Sequence, residues 1–510
     1  MEQDDDAGVV AERPSRRAFV AAGAGVLAAS LVPRASQAQG GRTPISLVVE
    51  RLSQRAEWKR IDLRLIRRVT LGMTEADVTL MSQMGFAQYL EWQLNADAID
   101  DSAADAQIQF RYPQFYYTQA QMLANDSVFW QQIAAPAQRA VIERAIISRR
   151  QLKERMVEFW ADHFNISLSG PRVVDYRDVI RQNALGKFGD LLRASMRSPA
   201  MLIYLDQVWS TKWGVNENYA RELMELHTLG WNGGYTQHDV HELARVLTGW
   251  TIDGNRNFQY RADYHDFGAK TVMGMTFPAR PEASGTAGMD EGMAFADYLV
   301  NHPSTARFIA TKLLKWFITP TPSTRQVSAV AAAYTATGGD IKAMLRVVLS
   351  QNNLANAPAK LKRPFHYYVS TVRCSGATIA AWSNWSQWEG VTGAMWDMAH
   401  GVFAWPTPDG FPDRAEYWAG LMVNRWNAVS GILSNWGSVG QFPRFSIAPF
   451  MTTPTETGVV DAINRKMFGG EMSAALRAEL LNWLNSNVLT QASAQAAVYF
   501  AAASPDFQYY

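Results

Sequence analysis

The sequence predicts a mainly α-helical protein, a large single-domain helical assembly with a small β-hairpin insertion near residues 250–277. Three observations lead there. Apolar residues recur at three- and four-residue steps along most of the 510-residue chain. Thr, Ser and Asp stand where helix N-caps are needed. No Pro/Ser linker, low-complexity tract or internal repeat divides the sequence, and only around residue 250 do short alternating runs replace the helical pattern.

The first 38 residues read as a targeting segment. Arg16-Arg17 in SRRAFV precedes a weakly apolar run from Ala18 to Val32, and Ser36-Gln37-Ala38 supplies a small-residue cleavage site. This is the pattern of a twin-arginine export signal, which predicts a periplasmic or extracellular location. The run is too short and too rich in Ala and Gly for a permanent membrane span. Residues 39–510 are then the helical domain, with 435–510 either its continuation or a helical subdomain. A lone cysteine, Cys374, excludes an intramolecular disulfide, so stability must come from burial, and 48% hydrophobic residues supply it. A net charge of +1 gives no electrostatic case for nucleic acid or an anionic membrane.

Taken in order, Asp62 to Leu71 reads as a helix. Thr74-Glu75-Ala76-Asp77 caps the next, whose inner residues are Val78, Met81, Phe86, Leu90 and Leu94. Helices follow near 126–149, 151–164, 175–196, 303–318, 323–336, 339–351, 361–376, 414–434, 471–486 and 489–502. Asp253-Gly254-Asn255 predicts a hairpin within Thr251 to Asp263, and Thr271 to Phe277 a third strand. The loop between them carries His265, Asp266 and Lys270.

Ionisable groups are densest in Glu217 to Trp250. At helical spacing Glu217, Asn218, Arg221, Glu222 and Glu225 share one arc of roughly 140°, with His227 on the opposite, apolar side. A surface helix with an i,i+4 Glu–Arg pair accounts for this arc. So does a polar face turned into a cleft, where Glu222 and Glu225 raise each other's pKa. Gly230 ends the segment, and Thr236 with Asp239 caps the next helix. His163, among aromatics at a helix end, is a ligand, a general base or a satisfied core histidine. The 403–413 loop, pinned by Pro406, Pro408 and Pro412, places Trp405, Phe411 and Asp409 where they can line a cleft.

Nine stretches together resemble one bacterial family, the domain-of-unknown-function 1800 family. They are RLIRRVTLGMTEADV (64–78), RMVEFWADHFNIS (155–167), RQNALGKFGDLLRASMRSPAMLIYLD (181–206), ENYARELMELHTLG (217–230) and YTQHDVHELARVLTGW (235–250). HDFGAKTVMG (265–274), NHPSTARFIATKLLKWF (301–317), KLKRPFHYYVSTVR (360–373) and FAWPTPDGFPD (403–413) complete the set. The resemblance implies an exported bacterial protein, often encoded beside a sulfatase-like companion, and it carries no chemistry. Trp209-Ser210-Thr211-Lys212-Trp213 departs from the Asn- and Ser-rich stretch usual in members.

The expectation drawn is a hydrolase of glycan or envelope polymers, with Glu222 and Glu225 as its carboxylates and Arg221 binding an anion. Asp239, His227 and His265 are further catalytic candidates. Glu222 and Glu225 share one side of a helix and cannot be both acid and opposing base. The partner must be Asp239, Asp266 or Asp409. Two other readings stay open. One is a protein binding a divalent metal through His163, Glu222 and Glu225. The other is a non-catalytic scaffold for the sulfatase-like partner. Eighteen tryptophans, with Trp382, Trp385, Trp388 and Trp396 grouped, favour a glycan over other substrates. No GxSxG elbow and no nucleotide-binding glycine loop occur.

Overall fold

A computed structural model describes residues 58–281, 285–380, 390–435 and 441–510. Residues 1–38, expected as an export signal, lie outside these residues, as do Trp382, Trp385 and Trp388. Within them the protein is mainly α, with two small antiparallel hairpins. No described helix is long and apolar enough to cross a membrane.

Many of the local signals operate as read. Thr74 and Asp77 form a reciprocal capping box at the start of Glu75–Leu94, and Thr236 and Asp239 form another at Gln237–Val246. Gly85, at φ 76°, kinks the first of these helices. The helices Pro303–Phe317, Thr324–Thr337 and Ile341–Val348 follow the predicted spans closely. Their inward residues, including Ile309, Leu313, Val330 and Leu345, are fully buried.

Three expectations are corrected. The helix expected over 175–196 is broken. Gly170–Asp175 runs into a π-helical turn, Tyr176–Ile180, and a new helix starts only at Phe188. Lys187 leaves the helix because its backbone bridges to Asp340, a partner remote in sequence. Asn218–Glu222 is α-helical, but Leu223–Thr228 widens to π geometry, with the Thr228 hydroxyl donating to the Leu223 carbonyl at 2.6 Å. Finally, Thr271 to Phe277 adds no third strand. Lys270–Val272 pairs with Met275–Phe277 as a hairpin of its own, Thr271 facing Thr276. Met273 and Gly274 make its two-residue turn, both at positive φ. The other hairpin pairs Trp250–Ile252 with Phe258–Tyr260.

Leu52–Tyr510 falls in one contact unit. The last residues close it: Lys360 and Tyr510 exchange backbone hydrogen bonds of 2.9 Å, and Lys362 N–H donates to the Gln508 carbonyl at 2.8 Å. Tyr510 thereby reaches Arg155 on the Gln151–His163 helix, whose guanidinium donates to its hydroxyl at 3.0 Å.

Candidate functional site

The Gln151–His163 helix carries Arg155, Glu158 and Asp162 at spacings of three and four, so they share one face. That face meets Arg363, which stands just before the Pro364–Ser375 helix. The Arg363 guanidinium donates to Asp162 at 2.5 Å and lies 2.9 Å from His400 Nε2 and 4.0 Å from Glu158. Trp316 covers it, its ring centroid 4.9 Å away. Burial pushes the Glu158 and Asp162 carboxyls up, and the Arg363 charge opposes that shift in both. Burial also holds His400 neutral. Beside these groups opens a small cleft, walled by Tyr176, Phe365, Phe403 and Phe411.

The 403–413 loop closes one side of this cleft. Gly410, at φ +75°, seats the loop on the helix. A Cβ there would come within 2.2 Å of the Asp162 carbonyl oxygen. The preceding residue, Asp409, accepts hydrogen bonds from Trp405 Nε1 at 2.9 Å and Thr407 at 2.5 Å. Trp405 in turn packs on Phe411 and Tyr417, with ring centroids 5.1 and 5.8 Å away.

Glu222 is half-buried. Its carboxyl is raised by burial first, and further by the charges of Glu225 and Asp409, against the pull of Arg221. Tyr204 feels both Asp409 and Glu222 and donates from its hydroxyl to the Pro406 carbonyl at 2.7 Å. Lys312 feels both Asp162 and Asp409, and burial brings its ammonium down to about 8. Asp409 thus acts electrostatically on Glu222, Tyr204 and Lys312. Of the three partner carboxylates the sequence offers Glu222, the described couplings join it to Asp409.

The other candidates have different surroundings. Arg221 pairs with Glu217 at 3.1 Å and with Gln237 at 2.9 Å on the surface. Asp239 caps its helix and accepts from Met273 N–H at 2.6 Å. Asp266 accepts from Arg245 at 2.7 Å. His265 is fully buried in a separate cluster, with Nδ1 2.8 Å from the Thr248 carbonyl and Nε2 3.6 Å from Glu291, which also pairs with Lys270 at 2.9 Å. His227 is fully buried, with neither ring nitrogen partnered among the described residues, and desolvation takes it down to about 3. His163 lies behind it, its Nε2–H donating to the His227 carbonyl at 3.0 Å. Among the described residues no three His, Cys, Asp or Glu side chains converge as metal ligands, so His163, Glu222 and Glu225 form no ligand set.

A family model described as a protein of unknown function, DUF1800, matches residues 64–509. The chain belongs to that family. No curated protein and no solved structure matches it. The site of this DUF1800 protein draws on several of its family stretches, among them those at 155–167, 217–230, 301–317, 360–373 and 403–413. Sequence reasoning singled out the loop, Glu222 and His163 but passed over Asp162, Arg363, His400 and Lys312. One signal for Asp162 was present: two carboxylates, Glu158 and Asp162, one turn apart in the aromatic-rich half of the helix.

Proposed function

We propose that this DUF1800 protein is a hydrolase of glycan or envelope polymers, with Glu222 as general acid and Asp409 as the opposing carboxylate. The observation that carries this reading is the coupling of Glu222 to Asp409. The two come from different elements, which answers the objection to a pair drawn from a single helix face. A carboxyl held above its ordinary range keeps its proton for a leaving oxygen, while a second carboxylate on the far side acts as base or nucleophile. Trp405, Tyr417 and Phe411 offer an aromatic shelf beside Asp409, the kind of surface on which a sugar ring stacks. Export by the twin-arginine route to the periplasm or beyond belongs to the same reading, since polymers of the envelope lie there.

A screen of glycan and envelope-polymer degradation, run with wild type and Glu222→Gln in parallel, tests it. Activity lost in the variant with its fold intact supports the assignment. A variant that unfolds while its surviving fraction keeps full specific activity makes Glu222 architectural.

One observation favours a second reading, a scaffold for the sulfatase-like partner. Trp209, Trp213 and Trp231 are 75%, 72% and 78% exposed. Co-purification of that partner, lost on replacing the three tryptophans by serine, would support it.

A further inference from the structure

A second, smaller cavity lies among residues of the Ile61–Val69 helix, the 362–374 segment and the chain's end. Lys362, His366, Cys374, Phe468, Phe507 and Tyr510 line it. Lys362 is 6% exposed, and among the described residues no carboxylate pairs with its ammonium. Buried lysines are ordinarily paired. This one has only the face of Phe507, 3.6 Å from its nitrogen to the ring centroid. Its backbone is fixed, since its N–H donates to the Gln508 carbonyl at 2.8 Å and its carbonyl accepts from Arg425 at 2.7 Å.

Most of the other ionisable groups facing the cavity are engaged elsewhere, although Asp506 Oδ1 has no hydrogen-bond partner among the described residues. Arg67 pairs with Glu471 at 2.7 Å and donates to the Phe468 carbonyl at 2.9 Å. Asp506 accepts from Ser473 N–H at 3.1 Å, and burial pushes its carboxyl up. His366 is held neutral by burial. The Cys374 thiol donates to the Met73 carbonyl at 3.0 Å, and burial pushes it up to about 11, so it does not compete as a thiolate. Burial, joined by the charges of Arg67 and Arg425, brings the Lys362 amine down to about 7. Near pH 7 about half of it is therefore free base, against about 0.04% of an exposed lysine.

We propose that Lys362 is a carbonyl-capturing amine, which condenses with a small aldehyde or ketone entering this cavity. The Nζ lone pair attacks the carbonyl carbon, forming the C–N bond as the C=O π pair moves to oxygen, and the proton leaving nitrogen goes to that oxygen. The carbinolamine then expels its hydroxyl with the remaining nitrogen proton as water and leaves the imine. Nothing is oxidised or reduced.

Propionaldehyde with cyanoborohydride, added to the full chain at about pH 7, reduces any imine to a stable alkyl-lysine that peptide mass mapping locates. Lys362 should be alkylated at least about tenfold faster than the exposed Lys59, Lys187 and Lys315, a conservative share of the ~10³-fold free-amine advantage. Its lead should narrow near pH 10, where exposed amines are also free. Lys362→Arg should lose that adduct while the exposed lysines label as before. If Lys362 stays unmodified, or reacts no faster than the exposed lysines in the folded wild type, the proposal is overturned.

Discussion

Glu222 and Glu225 sit three residues apart with identical side chains, and Glu222 is the one coupled to the Asp409 loop. Replacing its carboxyl by an amide keeps the shape and removes the transferable proton. Glu222→Gln is expected to lower turnover by about 10²–10⁴-fold, the usual share of a general acid. Stability should change by no more than about 1 kcal/mol, because the residue is only half-buried. Because the carboxyl is raised, activity that needs its proton should fall as pH rises through that raised value. A rate–pH profile flat across the acid range would count against Glu222. Arg363 tests the neighbouring cluster differently. With a side chain only 5% exposed, it holds Asp162 and Glu158. Arg363→Met removes the cation paired with Asp162 and leaves Glu158 with Arg155 alone, and should cost about 3–5 kcal/mol in a urea titration. A loss below about 1 kcal/mol would show that water already neutralises the cluster.

The loop and the helix it rests on act as a unit because of one glycine. Any side chain at Gly410 meets the Asp162 backbone, and its φ of +75° disfavours L-residues even without that clash. Gly410→Ala should cost about 2 kcal/mol or more and lower activity with it, since Asp409 must move when the loop lifts. A variant with a shifted unfolding midpoint and wild-type activity would separate Asp409 from the chemistry. The elements legible in the sequence were those set by local rules. Thr74, Thr236 and Ser323 cap where they should, and the 303–317 helix follows its apolar stripe. The elements misread were set by distant partners. Lys187 pairs with Asp340, and the π turns at 176–180 and 223–228 answer to packing that no local propensity encodes.

Across the whole molecule, the buried histidines give stability a pH dependence. His163, His227, His366 and His400 are all lowered by burial. For His227 the folded value is about 3, while the unfolded value is about 6.5. Between those limits the unfolded chain binds the extra proton, so stability is full above about 6.5 and falls as pH drops below it. Glu158 and Asp162 are raised and act in the opposite direction, retaining protons the unfolded chain releases. Substituting one histidine isolates its share. His227→Leu should flatten the slope of unfolding free energy by about one proton, or about 1.4 kcal/mol per pH unit, between roughly pH 6 and 5. Urea midpoints at several pH values measure it, and an unchanged slope would mean that His227 is protonated in the fold. By itself the sequence determined the helical class, most helix starts and the stretches that build the site, because these follow from periodicity, caps and glycine placement. It also held Asp409 as one of three partners for Glu222 without a means of choosing among them. Only the tertiary structure brought Arg363 to Asp162, because which charges share a desolvated space depends on contacts between residues some 200 positions apart.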